Sequence, residues 1–305
     1  MVLVQQTVDF GSPKTCRAHS HMKRPTVESK TVLVTGCSSG IGRATADLLR
    51  DRGWIVVPTA RTKEDLDILL NDGYIPVRLD LADEDSVLTA AEQTLDLFDG
   101  RLGGLVNNAG FALAGAMEDV SRDALRHQME VNFIGVQDLT NRLLPVFRSQ
   151  GWGRIVNVSS VYGRVAAPLV GSYCASKFAL EAATDALRIE LWTTGVSVSL
   201  IEPGSIITEF RNNAAEFASR HLHAEHSRFG DTYDRKITRK KNRIPTPDFF
   251  RKPPSAVADK ILHALESAHP RRRYGVTPAA TLVAFLRRFA PDALLDAALR
   301  RQTGQ

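Results

Sequence analysis

The sequence predicts an α/β fold, one domain built on a doubly wound parallel sheet with helices on both faces. Three observations carry that expectation. Short Val/Ile/Leu-rich runs alternate with amphipathic segments from residue 30 to residue 205, as parallel strands joined by helical crossovers require. A glycine-rich turn, Gly36 to Gly42, lies between the first apolar run and the first amphipathic one. The composition, 43% hydrophobic and 24% charged over 305 residues, supplies enough apolar surface for a sizeable core.

Residues 1–29 read as a poorly ordered leader, because prolines, histidines and scattered charges break every periodicity and the apolar region of a secretory signal is missing. Thr31–Thr35 is the first strand and Arg43–Arg52 the first helix. Trp54–Ala60 is the second strand, with Pro58 marking a bend or strand end because proline has no N–H for a ladder. Glu64–Leu70 is helical and Ile75–Leu79 is a third strand. Ala82–Phe98 is a helix whose acidic opening, Asp83-Glu84-Asp85, suits the positive end of the helix dipole. Leu105-Val106 leads into Asn107-Asn108-Ala109-Gly110, and Arg122–Phe147 reads as one long helix with Pro145 near its end. Ile155–Val158, Ser176–Trp192 and Val196–Ile201 continue the strand–helix–strand order. One domain, 30–305, accounts for the pattern.

At the first strand–helix junction a Rossmann-type sheet accepts a dinucleotide, its pyrophosphate against the helix N-terminus. Gly36, Gly40 and Gly42 permit a tight turn, close approach of backbone to phosphate, and close helix–strand packing; Ser38, Ser39 and Ile41 lie among them. The spacing is GxxxGxG rather than GxGxxG, and a glycine turn without a ligand is the competing reading. The end of the second strand selects the nucleotide. An acid there would bond the ribose 2′-hydroxyl of NAD, but Ala60 holds that place and Arg61 follows, a fork of donors suited to the 2′-phosphate of NADP. NADP(H) is therefore favoured over NAD(H), with Arg43 and Ser38 as secondary contacts and a plain surface arginine as the alternative.

Tyr173 and Lys177 stand four apart in a run that continues as a helix, which stacks phenol and ammonium one turn apart. An ammonium beside a phenol favours phenolate and lowers the pKa, as acid/base work by tyrosine requires. Ser159 and Ser160, ending the run Arg154–Val158, each offer a hydroxyl to the same substrate oxygen.

TGCSSGIG at Thr35–Gly42, Asp80-Leu81, NNAG at Asn107–Gly110, Asn132, Ser160, YCASK at Tyr173–Lys177 and PGSIIT at Pro203–Thr208 together resemble the short-chain dehydrogenase/reductase family. The resemblance is strong over residues 30–210 and looser beyond. Within the family the chain looks like bacterial relatives of hydroxysteroid and retinol dehydrogenases and of NADP-dependent aldehyde reductases. It implies that Asp80 and Leu81 meet the adenine, and that Asn107, Ala109 and Gly110 line the adenosine-ribose side of the cofactor groove and steady the central sheet. It places Pro203, Gly204, Ile206 and Thr208 at the nicotinamide end. It makes Asn132, Ser160, Tyr173 and Lys177 a catalytic tetrad. Ser160 is preferred to Ser159 because it lies 13 residues before Tyr173, as the family serine does. The implied chemistry is hydride delivery to a carbonyl carbon while Tyr173 protonates the oxygen and Ser160 holds it. Lys177 would lower the tyrosine pKa and bond the nicotinamide ribose, and Asn132 would place a water that passes protons to Lys177. The implied substrate is a small carbonyl or alcohol, a lipophilic aldehyde or ketone first, with oxidation of a steroid, retinol or other alcohol as the alternative. The implied assembly is a homodimer or homotetramer. A cofactor-sensing regulator that catalyses nothing is the reading of another class, and the intact tetrad argues against it.

Residues 209–252 are polar, basic and interrupted by Pro245 and Pro247. Their place after a strand end borders the ligand crevice, so they read as a substrate lid. Phe210, Phe217, Phe229, Tyr233, Phe249 and Phe250 are then either substrate contacts or anchors. Of the formal charge of +5, residues 211–252 hold 11 Lys and Arg against 5 Asp and Glu, leaving the rest at −1. No nucleic-acid motif accompanies that basic stretch, which reads as a solvated face or a surface that steers an anionic cofactor. His221, His223 and His226 do not have the i, i+4 spacing of zinc helices, and no metal is expected. Cys16, Cys37 and Cys174 lack CxxC spacing, so a reducing compartment, the cytoplasm, is expected. Ser255–Ser267 is a helix and Arg273–Val276 a last edge strand. The C-terminal helices in 277–305 alternate apolar and basic residues, which fits packing on the crevice or a partner, or peripheral contact with a membrane.

Overall fold

The computed structural model describes residues 25–222, 227–233 and 251–300. The strands are β1 (Thr31–Val34), β2 (Ile55–Ala60), β3 (Val77–Arg78), β4 (Gly104–Asn107), β5 (Gly153–Val158), β6 (Val196–Glu202), β7 (Ser205–Ile206), β8 (Arg251–Lys252) and β9 (Arg273–Gly275). Helices α1 (Gly40–Asp51), α2 (Lys63–Asn71), α3 (Glu84–Leu97), α4 (Arg122–Met129), α5 (Gly135–Gln150) and α6 (Gly171–Glu190) link them up to β6. Beyond it lie α7 (Phe210–His221), α8 (Gly230–Tyr233), α9 (Ser255–Glu266), α10 (Pro278–Phe289) and α11 (Asp292–Arg300).

Seven strands form one parallel sheet in the order β3-β2-β1-β4-β5-β6-β9. Side chains alternate across a strand, and the sheet buries both faces. Leu33, Leu105 and Ile155 pack with Leu139, Phe147, Leu180 and Leu187 of α5 and α6. Val32, Val34, Val106 and Val156 pack with Leu49 of α1 and Ile261 and Leu265 of α9. The order reverses between β1 and β4, and a crevice at that switch point is where such sheets bind ligands.

Three sequence expectations change. Pro58 sits inside β2, opposite Val34. Its nitrogen falls on the side facing β3, and β3 pairs only with Thr59 and Ala60, so no ladder bond is lost. The long helix expected over 122–147 is divided by a π-helical segment, Glu130–Ile134, that carries Asn132. The helix expected from Ser176 begins at Gly171, which puts Tyr173 in its first turn. Thr62, Asp83, Ser121 and Thr277 cap α2, α3, α4 and α10 with side-chain hydrogen bonds.

Candidate active site

The glycine turn is held by main chain and by two small polar side chains. Gly36 has φ +71°. At Gly42 an added Cβ would lie 2.0 Å from the Gly36 carbonyl oxygen and 2.6 Å from Asn108 Nδ2, so only glycine fits there. Asn108 Nδ2 donates to the carbonyls of Thr35 and Gly36 at 2.9 and 3.1 Å. Thr35 Oγ1 accepts from the N–H groups of Asn108 and Ala109, both at 2.9 Å. Neither Asn108 nor Thr35 is among the residues the sequence singles out, although both lie inside quoted motifs.

Ser39 is the N-cap of α1 and makes no side-chain cap bond, and no acid stands in the helix's first turn. Ser38 and Ser39 are exposed. Unlike the four capped helices, α1 leaves its first N–H groups available, the arrangement that favours an anion. Thr208 closes over this turn, its Cγ2 lying 3.2 Å from where a Cβ on Gly40 would stand. Ile41 is half-buried behind it. Arg61 ends β2 exposed, whereas Arg43 is held by Asp47 and Asp72 at 3.0 and 2.7 Å. Of the two arginines, only Arg43 has an ion-pair partner among the described residues.

Asp80 Oδ1 accepts from the Ala82 N–H at 3.1 Å, which fixes the bend after β3, and Leu81 is buried with its carbonyl against Gly135. Asn107 is turned into the core. Its Nδ2 donates to Thr140 Oγ1 and Asn157 Oδ1 at 3.0 and 2.8 Å; it steadies the sheet and does not face the crevice. Gly110 does face it. A Cβ there would be 3.0 Å from Asn132 Oδ1 and 3.7 Å from Lys177 Nζ. Pro203 accepts from the Val161 N–H at 2.9 Å, and Gly204 presses on Thr277. Ile206 lies in β7, paired with Lys252 of β8.

Tyr173, Ser160, Lys177 and Asn132 converge at the ends of β5 and β4. Ser160 Oγ accepts from the Tyr162 N–H at 3.1 Å, and Ser160 stands close enough to the Tyr173 phenol to favour its ionised form. Ser159 points away, beside Gly163 and Glu181. Asn132 is fully buried; its amide pairs with both main-chain groups of Phe111, at 3.0 and 2.9 Å, and donates to Ser176 Oγ at 3.0 Å. Lys177 Nζ donates to the Val158 carbonyl at 2.9 Å and lies 5.9 Å from the Tyr173 ring centre. Burial pushes the Tyr173 phenol well above its ordinary value, with Ser160 pulling the other way. Burial lowers the Lys177 ammonium to about 8, partly offset by Glu181. The lowering of the tyrosine expected from its spacing to Lys177 is not what the folded chain gives: desolvation is the largest influence on the phenol, and it raises it.

Helix α7 covers Tyr173. Phe210 lies 5.7 Å from its ring centre and Ala214 packs against it with Ala112 and Tyr162. Phe217 stands 4.7 Å from Phe111 and stacks on His127 and His221. Tyr233, buried, accepts from the Ala116 N–H at 2.7 Å and donates to Asp119, which also accepts from Ser227 at 2.6 Å. Phe217 and Tyr233 are therefore anchors, and Phe210 is the aromatic that meets Tyr173. Phe249, Phe250, Pro245, Pro247, His223 and His226 lie outside the described residues. Among the described residues no group of three or more His, Cys, Asp and Glu is placed to hold a metal ion, and no helix is long and apolar enough to cross a membrane. Thr277 and Ala280 are buried at the start of α10, while Leu282 and Leu294 are exposed.

A parallel doubly wound sheet with an open helix N-terminus at its switch point and a Ser–Tyr–Lys cluster beside it defines a nucleotide-dependent oxidoreductase. The short chain dehydrogenase family model matches residues 30–218, and the chain belongs to the short-chain dehydrogenase/reductase family, as an NAD(P)-dependent oxidoreductase. It is 39% identical over 277 residues to the uncharacterized oxidoreductase YbbO of Escherichia coli (strain K12), covering 90% of this chain and 95% of that one. It is 34% identical to retinol dehydrogenase 16 of Mus musculus, covering 90% and 88%. A short chain dehydrogenase from Burkholderia cenocepacia, solved in complex with NADP, superposes with TM-score 0.70 at 27% identity over 90% of this chain and 99% of its own. A family member from Burkholderia phymatum, solved with NAD, gives 0.69 at 25% identity over 90% and 96%. The uncapped α1 and the Gly36–Gly42 turn fit either dinucleotide.

Proposed function

We propose that this protein is an NADPH-dependent reductase of a lipophilic aldehyde or ketone, with Asn132, Ser160, Tyr173 and Lys177 as its catalytic set. The observation that carries the reading is the buried phenol of Tyr173, kept protonated by that burial with Ser160 beside it. A neutral phenol is the state from which an acid gives its proton. The nicotinamide cofactor supplies hydride to the carbonyl carbon when bound. Tyr173 gives its proton to the carbonyl oxygen as charge grows there, and the Ser160 hydroxyl bonds the same oxygen. The Lys177 ammonium, in contact with the Val158 carbonyl and next to Gly110, stabilises the tyrosinate left behind. Asn132 fixes the Phe111 main chain and Ser176, and so the wall beside Lys177. Tyr162, Ala112, Phe210 and Ala214 give the crevice an apolar wall suited to a lipophilic substrate, and α7 is the lid that must part from Tyr173 to admit it.

Tyr173→Phe is expected to lower NADPH-coupled turnover on a carbonyl panel by about 10²- to 10⁴-fold with nucleotide binding retained. Near-wild-type turnover in that variant would overturn the assignment. Arg61→Ala is expected to cut catalytic efficiency with NADPH by about 10- to 100-fold, the worth of a charge-assisted bond, and to leave NADH nearly unchanged; equal losses with both nucleotides, or a wild-type preference for NADH, would remove NADP(H) as the favoured cofactor. Similarity to retinol dehydrogenase 16 favours one second reading, oxidation of a retinol-like or steroid alcohol through the same groups in reverse. An alcohol panel with NAD and NADP tests it. We also place the protein in the cytoplasm as a homodimer or homotetramer pairing through α4, α5, the π segment between them and α6, where Ile134, Phe178 and Ile189 are exposed. A single-chain mass in light scattering would overturn that assembly.

A further inference from the structure

Behind Lys177 lies a buried carboxylate that no step above uses. Tyr173, Lys177, Glu181 and Asp185 follow at intervals of four along α6, so one face of the helix carries phenol, ammonium and two carboxylates in succession. Glu181 is 6% exposed. Its Oε2 accepts from Arg273 of β9. Its Oε1 is buried and has no hydrogen-bond donor among the described residues. That oxygen lies under the turn that carries Ser160: a Cβ added at Gly163 would meet Ser159 Oγ at 2.6 Å, Glu181 Cγ at 2.8 Å and Glu181 Oε1 at 3.2 Å.

Pairing with Arg273 accounts for Oε2 and leaves Oε1 unexplained. Arg273 also pairs with Asp185 and, at 2.7 Å, with Glu202, and these are met in turn by Arg188 at 2.9 Å and Arg164 at 3.4 Å. Lys177 is in the opposite position. Its ammonium meets a neutral carbonyl, and Glu181 is the charge that acts to keep its proton on. A buried ammonium without a counter-charge titrates down toward neutrality.

Resting on the reading of Tyr173 and Lys177 as the catalytic pair, we propose that Glu181 is a positioning residue: clamped by Arg273 beneath the Ser160 turn, it keeps Lys177 charged beside Tyr173. The groups that face it are Lys177 and Asp185 on its own helix, Ser159 after β5, Glu202 of β6 and Arg273 of β9, with Arg164 beyond Glu202 at 3.4 Å and Arg188 beyond Asp185 at 2.9 Å. Burial and the neighbouring Glu202 raise the Glu181 carboxyl, and Ser159 and Arg273 hold it down.

Glu181→Gln keeps the shape and removes the charge. The Lys177 ammonium is expected to titrate about one unit lower, read by NMR of ¹³C-labelled lysine Cε and assigned with Lys177→Met. The carbonyl-reduction rate is then expected to fall about fivefold at pH 8 and to stay within about twofold at pH 6, from that one-unit shift. Glu202→Gln removes a carboxylate from the same arginine and is expected to leave the profile in place, and Glu181→Asp is expected to recover part of the loss. An unchanged Lys177 titration in Glu181→Gln, or a pH-independent loss matched by Glu202→Gln, overturns the proposal. Should Glu181→Gln not fold, Glu181→Met, which also removes the charge, is read in the same way, and an unshifted lysine there also overturns it. Turnover surviving Tyr173→Phe would defeat the catalytic reading instead, while the lysine titration would still report the Glu181–Lys177 coupling.

Discussion

Around Gly36–Gly42 the wall of the crevice is main chain tied by hydrogen bonds to two small polar side chains, whereas above Tyr173 it is side chain resting on side chain. In the first region Asn108 and Thr35 tie two loops through backbone carbonyls and N–H groups, and Gly42 approaches Gly36 too closely for any Cβ. In the second, α7 lies on the body through Phe210, Ala214 and Phe217, packed against Tyr173, Ala112 and Phe111. Hydrogen-bonded main chain specifies one geometry; apolar contact tolerates repacking and sliding. The first region suits the part that NAD and NADP share, and the second suits the lid proposed above for a substrate.

The sharpest way to break the comparison is Gly42→Ala. The added methyl would have to displace the Gly36 carbonyl and the Asn108 amide, neither of which is the free end of a flexible side chain. A loss of about 2 kcal/mol or more of stability is expected, with nucleotide binding lost together with it. Calorimetry and nucleotide titration check this, and an alanine variant that binds normally would show the first region to be as adaptable as the second.

Lys177→Met probes the place where the two regions meet, and its effects have opposite signs. Activity is expected to fall by about 10²- to 10⁴-fold. Stability is expected to rise, because the folded chain holds the ammonium near 8 against an ordinary 10.5, so folding disfavours the proton. Between those values the unfolded chain binds the proton and the folded chain does not, and stability climbs with pH. The penalty is present in full below pH 8 and gone above 10.5. The methionine variant should therefore gain on the order of 1–3 kcal/mol at pH 7, less the lost bond to Val158, and the gain should shrink as pH rises through 8. Denaturant titration at pH 7 and 10 of the protein free of nucleotide reads it, and a methionine variant less stable at both would show that the lysine holds the fold.

The same contrast decides how much was legible in the sequence. A strand run such as Thr31–Val34 is apolar on both faces, Leu33 on one and Val32 and Val34 on the other, so it names itself as a buried parallel strand. The glycine turn and the Tyr173–Lys177 spacing are visible because local chemistry dictates them. Asn132 sits in a π segment that no periodicity announces, and Asn107 and Asn108 differ in role only through which way each strand-end residue turns. Asn107 bonds across the sheet to Asn157, and Asn108 bonds the glycine turn. Glu181 reads on paper as one more acid in an amphipathic helix; its burial comes from Arg273, 92 residues later on an edge strand. Whether Phe217 and Tyr233 touch substrate or body depends on long-range packing, which a loop sequence does not encode.

The smallest expected effect belongs to the lid. Phe217 is half-buried, packed by Phe111, His127 and His221, so Phe217→Ala removes a ring from a peripheral contact and not from the sheet core. Global stability should drop by about 1 kcal/mol or less, below the usual cost of a fully buried phenylalanine. Nucleotide affinity should not change, because Thr208 and the glycine turn lie at the other end of the segment. The substrate KM should rise several-fold as α7 loses its seat over Tyr173, with kcat altered less, since the catalytic groups belong to β5, α6 and the π segment before α5. A fall in kcat as large as that of Tyr173→Phe, at unchanged KM, would mean that α7 is part of the rigid frame and that the two regions are one.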